Sequence, residues 1–248
     1  MKASTLYIDM HTHAARKTRG LLGMYNAPPV SLPKDLPDHW LVSTGIHPWL
    51  ADKDTFAMNC ENLQVVVSEG IWHERYSHPK KVIQEWLNTL AQLASNHQID
   101  AIGEIGLDRT HGGNVSDQVS LLESQLEIAE QYRLPIVIHC VRAYPELLAV
   151  RKRFHRTPWI IHAYQGNLQI AEQLIHHNCH LSFGARQLRT RKTQAVARAI
   201  TAQSIFLETD QSDESLIDLY HDTALLLSID VATLKKNIQT HFEQIFPS

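Results

Sequence analysis

Residues 100–139 read DAIGEIGLDRTHGGNVSDQVSLLESQLEIAEQYRLPIVIH. An apolar run, Asp100–Gly106, leads into a polar loop. An amphipathic segment, Asp117–Tyr132, follows, and a second apolar run, Leu134–His139, closes the stretch. Strand, helix, strand is the repeating unit of a parallel sheet, and the same alternation continues in both directions. Upstream lie the runs Thr5–Met10, Gly23–Val30 and Trp40–Gly45; downstream lie Trp159–His162, His180–Phe183 and Ser204–Leu207. Helical patterns at Lys80–His97, Tyr144–His155 and Leu168–Asn178 fall between runs, and Glu214–Leu227 and Val231–Phe246 follow the last. Eight strands in this alternation predict an α/β fold of the (β/α)8 barrel type. Pro28 and Pro29 suit a central strand badly, so a distortion is expected around the second strand. The Gly- and Pro-containing stretch Arg16–Asp38 reads as a long loop over the barrel mouth.

The 248 residues suit one domain, 1–248, because barrels run past the usual domain size without splitting. With 44% hydrophobic residues the chain can fill a sizeable core and has no bias toward disorder. A net charge of −3 argues against a basic surface that coats DNA, so any nucleic-acid contact is expected in a local patch. Cys60, Cys140 and Cys179 show no framework or metal spacing, which favours a reducing compartment. No signal-peptide core and no membrane-length apolar stretch are visible, so the expectation is a cytoplasmic protein. It needs no obligate protein partner and is expected as a monomer.

Sixteen histidines are the unusual part of the composition, and many close apolar runs. His11 and His13 end the first strand, two apart and therefore on one face. Glu104 belongs to AIGEIG, His139 ends LPIVIH, His162 ends WIIH, and Asp210 ends IFLETD. In a (β/α)8 barrel the C-terminal strand ends carry the active site. Each element alone is weak: an HxH on a strand is more often structural, and Asp210 could simply cap a helix. Together, four imidazoles and two carboxylates suit a pair of divalent ions. One division gives His11, His13 and Asp210 to one ion and His139 and His162 to the other, with Glu104 bridging. Two such ions can activate water and stabilise both attacking and leaving oxygens.

The blocks IDMHTH, GIHPW, AIGEIGLD, Gln118 before an amphipathic helix, LPIVIHC, HAYQGN, LSFG and LETD make the sequence resemble the TatD family of metal-dependent deoxyribonucleases, within the amidohydrolase-like superfamily. They come in that family's order from Ile8 to Asp210. The resemblance implies that His11, His13, Glu104, His139, His162 and Asp210 are metal ligands, and that His47 of GIHP faces substrate. Zinc, manganese and magnesium are all candidate metals. Asp210 is the candidate general base as well as a ligand. The departures fall on the substrate side: HCVRA places Arg142 one position later than the family's usual arginine, Gln211 and Ser212 follow ETD, and HAYQG replaces the commoner motif.

Other residues have two readings. Asp9 shares the parity of His11 and is expected to hold an imidazole. Asp108 and Arg109 are read as loop residues with either a supporting or a purely structural role. Trp49 either stacks a base or packs in its loop. Cys140 lacks an activating partner and reads as a buried small residue. The run Arg186, Arg189, Arg191 and Lys192 either grips a phosphodiester or lies on a solvated face. Arg151, Lys152, Arg153 and Arg156 complement a helix end, and His176, His177 and His180 lie at the surface away from the site.

The expected activity is hydrolysis of DNA, of the 3′–5′ exonuclease type. Two alternatives remain open. One is a two-metal esterase or amidase, such as an aminoacyl-tRNA deacylase. The other is a non-catalytic metal-binding scaffold.

Overall fold

The computed structural model describes residues 6–16, 20–29, 31–37, 39–62, 78–200 and 205–247. Eight strands follow one another along the chain: β1 Tyr7–Thr12, β2 Leu21–Ala27, β3 Leu41–Thr44, β4 Ala101–Asp108, β5 Ile136–Val141, β6 Trp159–Ile161, β7 Cys179–Phe183 and β8 Ile205–Leu207. Their order in the sheet is their order in the sequence, and the pairings β1–β2, β3–β4, β4–β5, β6–β7 and β7–β8 are parallel. This is the strand arrangement of the expected (β/α)8 barrel. All eight expected strands are present; Thr5, Val30 and Ser204 at their expected ends lie outside the described residues.

The described helices are α1 Phe56–Asn62, α2 Pro79–Ser95, α3 Val115–Tyr132, α4 Tyr144–Arg151, α5 Leu168–His176, α6 Ala185–Leu188, α7 Arg191–Ile200, α8 Leu216–Leu227 and α9 Val231–Ile245, with a 3-10 turn at Pro48–Ala51. Side-chain caps mark several starts: Asn114 accepts from Asp117 N, Asn167 from Ile170 N and Ser215 from Asp218 N. Helix α7 carries no run of large apolar residues. Its buried face is Thr193, Val196, Ala197 and Ile200, a helical spacing built partly from Thr and Ala.

The prolines end the second strand rather than break it. Strand β2 closes at Ala27, one residue before Pro28, so neither ring has to fill a central ladder position. The irregularity lies in the pairing with β1, where the register shifts between Asp9 and Thr12. Arg16–Asp38 is accordingly not one loop, because β2 runs through it.

The chain folds as two compact units interleaved along the sequence, one of Met1–Tyr25, Asp35–Leu41 and Pro158–Ser248, the other of Asn26–Lys34 and Val42–Thr157. In the first, Ile8, Met10, Trp159, Ile160, Ile161, Leu181, Phe183, Phe206 and Leu207 are buried to within 1%. Tyr220 of α8 holds β1 against this core: its hydroxyl donates to Ile8 O and accepts from Ile8 N, both at 3.0 Å. In the second unit every residue of β4 is buried, and Ile46, Leu50, Phe56, Cys60, Val82, Trp86 and Leu121 form a further core. Gln125 of α3 clasps the end of β3 here, accepting from Ile46 N at 2.7 Å and donating to Ile46 O at 3.0 Å. Gly106, at φ +150°, allows β4 to press on β5; a Cβ there would stand 1.9 Å from His139 O.

Candidate metal centre

In the first unit four of the expected ligands meet. His11, in β1, is fully buried, with its ring 4.4 Å from that of His162 and 5.1 Å edge-on from that of His13. Asp210 lies just past β8 in the left-handed region at φ 51°, a conformation that Asp tolerates better than most residues. Its backbone is pinned to β1: Asp210 N donates to His11 O at 2.9 Å, and His13 N donates to Asp210 O at 3.2 Å. That turn aims the carboxylate at the HxH pair, placing Oδ1 3.6 Å from His11 Nε2 and 3.4 Å from His13 Nε2. Ligand-type atoms of His11, His162 and Asp210 lie within 4.8 Å of one another.

Asp9 does not hold an imidazole. Its carboxylate accepts from Thr209 N at 2.9 Å and Thr209 Oγ1 at 2.7 Å, which fixes the residue before Asp210. Burial pushes its pKa up to about 7 against the opposing pull of the Thr209 hydrogen bonds.

In the second unit the centre is His139. Its Nδ1 lies 2.7 Å from Glu104 Oε1, and its Nε2 lies 3.1 Å from Asp108 Oδ2. His47 follows β3 and opens the 3-10 turn; its Nε2 is 3.3 Å from the same Glu104 oxygen. By distance His47 completes a ligand-type trio with Glu104 and His139. Its Nδ1, however, accepts from Trp49 N at 3.3 Å. That bond needs the Nδ1 lone pair, so the neutral ring carries its proton on Nε2 and acts as a donor there.

Asp108 is the last residue of β4, not part of a loop, and it is buried. Its Oδ2 also accepts from Trp49 Nε1 at 2.8 Å, and its Oδ1 from Thr110 N at 2.7 Å. Burial alone would raise its pKa, but the hydrogen bonds from His139, Thr110 and Trp49 outweigh it and hold the carboxyl well below the usual range. Gln118 grips the backbone beneath, accepting from Asp108 N at 2.6 Å and donating to Asp108 O at 2.9 Å.

The remaining candidates sort as follows. Trp49 is half-buried, ring against His111 at 4.7 Å, and packs within its turn. Arg109 pairs with Glu146 at the surface, and Arg142 is exposed. Burial raises the Cys140 thiol to about 12, which leaves it inert. Arg186, Arg189, Arg191 and Lys192 are all exposed, and Arg189 pairs with Glu214 at 2.7 Å. Arg151 is buried and donates to Phe154 O and Thr157 O, so it ties down the chain after α4. His176 is exposed, while His180 is half-buried with its ring 5.7 Å from that of Phe206.

One residue of this centre is missing from the sequence reading. Glu208, buried beside Asp210 in the chain, accepts from Ala163 N at 2.7 Å and places Oε1 3.6 Å from His162 Nδ1. Its place in LETD, two residues before a ligand, was the available signal, but its partner lies 46 positions earlier, at His162.

A family model for TatD related DNase matches residues 29–241. The chain belongs to this family. Among curated proteins it is 33% identical over 124 residues to the uncharacterized metal-dependent hydrolase YjjV of Escherichia coli, covering 48% of each chain. It is 27% identical over 161 residues to the 3′-5′ ssDNA/RNA exonuclease TatD of Pantoea sp., covering 56% of this chain and 59% of that protein. The matched segments thus span about half the length of these TatD-family relatives. Among solved structures, Escherichia coli YjjV superposes with a TM-score of 0.75 at 19% identity, covering 99% of this chain and 100% of that one. A TatD family hydrolase from Entamoeba histolytica gives 0.71 at 12% identity, with 98% and 99% covered. Both share the barrel fold. The imidazole nitrogens and carboxylate oxygens gathered here fit the metal dependence that the YjjV name carries, since they are the donors that zinc and manganese accept.

Proposed function

We propose that this TatD-family chain is a metal-dependent deoxyribonuclease that shortens DNA from its 3′ end, acting as a monomer in the cytoplasm. The observation that carries this reading is the pair of imidazole–carboxylate groups, His11–His162–Asp210 and His47–Glu104–His139, each with ligand-type atoms within 4.8 Å. Relatives named as 3′-5′ exonuclease and deoxyribonuclease support the substrate and the polarity. No described helix is long and apolar enough to cross a membrane. The three cysteines are free and buried, in keeping with a reducing compartment.

His11, His13 and Asp210 would hold one divalent ion and Glu104 with His139 another, with His162 completing the set and Glu104 bridging as the family pattern implies. Zinc, manganese or magnesium in these positions would supply Lewis acidity and neutralise charge on the phosphoryl group. The chain's own residues supply the rest. Asp210, aimed by its left-handed turn, accepts the proton of the attacking water. His47 donates from Nε2, the nitrogen left protonated by the Trp49 amide, to a phosphoryl or leaving oxygen. Asp9 and Thr209 keep the Asp210 turn in place.

The test is digestion of single-stranded DNA, labelled at either end, by metal-stripped protein reloaded in turn with Mg2+, Mn2+ and Zn2+, beside Glu104→Ala. The expected result is stepwise shortening from the 3′ end that requires metal and disappears in the variant. DNA left intact under every metal, by protein that binds metal, would remove the nuclease reading.

A further inference from the structure

Asp108 and Glu208 each stand behind one histidine of the centre, and they face opposite ring nitrogens. Asp108 Oδ2 lies 3.1 Å from Nε2 of His139, whose Nδ1 is the atom turned to Glu104. Glu208 Oε1 lies 3.6 Å from Nδ1 of His162. A neutral imidazole has one N–H and one lone pair, so an acceptor fixed at one nitrogen directs the lone pair to the other.

We propose that Asp108 and Glu208 are positioning residues that hold His139 as the Nε2–H form and His162 as the Nδ1–H form, so that His139 ligates metal through Nδ1 and His162 through Nε2. The inference rests on the metal part of the proposed function and is independent of the substrate.

Both carboxylates are built to stay where they are. Asp108 is anchored by Trp49 Nε1, by Thr110 N and, through its backbone, by both ends of the Gln118 amide. Glu208 is anchored by Ala163 N, the amide next to His162, which sits in the left-handed region at φ 46°. The same carboxylate therefore shapes the turn after β6 and faces the ring that the turn presents. Both groups are nearly solvent-free, where an acceptor's preference for a proton is not diluted by competing water. Exchanging the two roles would put a lone pair against a carboxylate at each histidine.

The experiment is long-range proton–nitrogen NMR on the full chain carrying 15N-histidine and loaded with Zn2+. His139→Asn and His162→Asn assign the two rings. The expected spectra show the proton on Nε2 of His139 and on Nδ1 of His162. Zn2+ affinity, measured by chelator competition, is expected to fall about 10–100-fold in Asp108→Ala and in Glu208→Ala. Glu208→Gln keeps an acceptor for Ala163 N and is expected to recover part of that loss. The melting temperatures of the metal-free variants separate a lost fold from a misdirected ring, and if either alanine variant fails to fold, the wild-type tautomers still decide. The opposite tautomer at either ring, or folded alanine variants that bind Zn2+ as tightly as wild type, overturns the proposal. Protein with the expected tautomers that leaves DNA intact overturns the nuclease reading alone.

Discussion

Asp9 is buried, yet both its oxygens are engaged by Thr209, and its pKa stands near 7 instead of 3.8. A carboxyl whose folded pKa lies above its unfolded one favours the folded state when protonated. That contribution is complete below about pH 4 and is lost as the pH rises through 7. Asn at this position would keep acceptor and donor for Thr209 and has no proton to lose. The stability of metal-free wild type relative to Asp9→Asn is therefore expected to fall by about 2–3 kcal/mol between pH 5 and pH 8. Urea unfolding at the two pH values measures it; a difference that does not change with pH contradicts the account. The thiols give a second test at this scale. All three cysteines are buried, and Cys140 titrates only near 12. Native protein at pH 8 is expected to resist iodoacetamide at all three positions, whereas urea-unfolded protein reacts fully. Rapid labelling of Cys140 in the native state would be inconsistent with the structure.

The metal-type residues were legible in the sequence because each follows its own apolar run, so strand counting alone places them. Asp108 and Glu208 were not. What defines them is a contact with a residue 31 or 46 positions away, and no local pattern announces it.

Among the elements, β4, β5 and the long helix α3 stand nearly where the apolar periodicity puts them. The short pieces did not show. The Pro48–Ala51 turn and α6 are four residues each, too short for a period, and α7 hides its inner face behind Thr193 and Ala197. Strand β2 read as weak because its prolines lie just beyond its end. Two helices carry tests. Gln125→Leu would leave Ile46 N and O buried without the side chain that pairs both, at a cost of about 1–3 kcal/mol for each group left unsatisfied. Asn167→Ala removes the cap of α5 and is expected to cost about 1 kcal/mol. Denaturant midpoints read both. A Gln125→Leu variant as stable as wild type would show that the clasp contributes nothing.

At the scale of the whole molecule, the eight-strand order and the family model agree on a TatD-type barrel. The first strand and the segments leading into β6 and β8 bring His11, His13, His162 and Asp210 together, while the residues from β3 to β5 assemble His47, Glu104 and His139. Chain order explains why the sequence could name these residues but not their grouping. The expectation placed His162 with His139, and the structure sets its ring beside that of His11. The expectation for His47 was a substrate contact, and its Trp49 hydrogen bond supports a donor in that role despite its closeness to Glu104.

The central claim is that the two groups each hold a divalent ion. Its most direct test is the number of ions bound per chain, by Zn2+ titration of metal-stripped protein with elemental analysis, for wild type, His11→Ala and His139→Ala. Two ions in the wild type and one in each folded variant is the predicted result. A wild type that binds fewer than two, or folded variants that still bind both, would contradict the account.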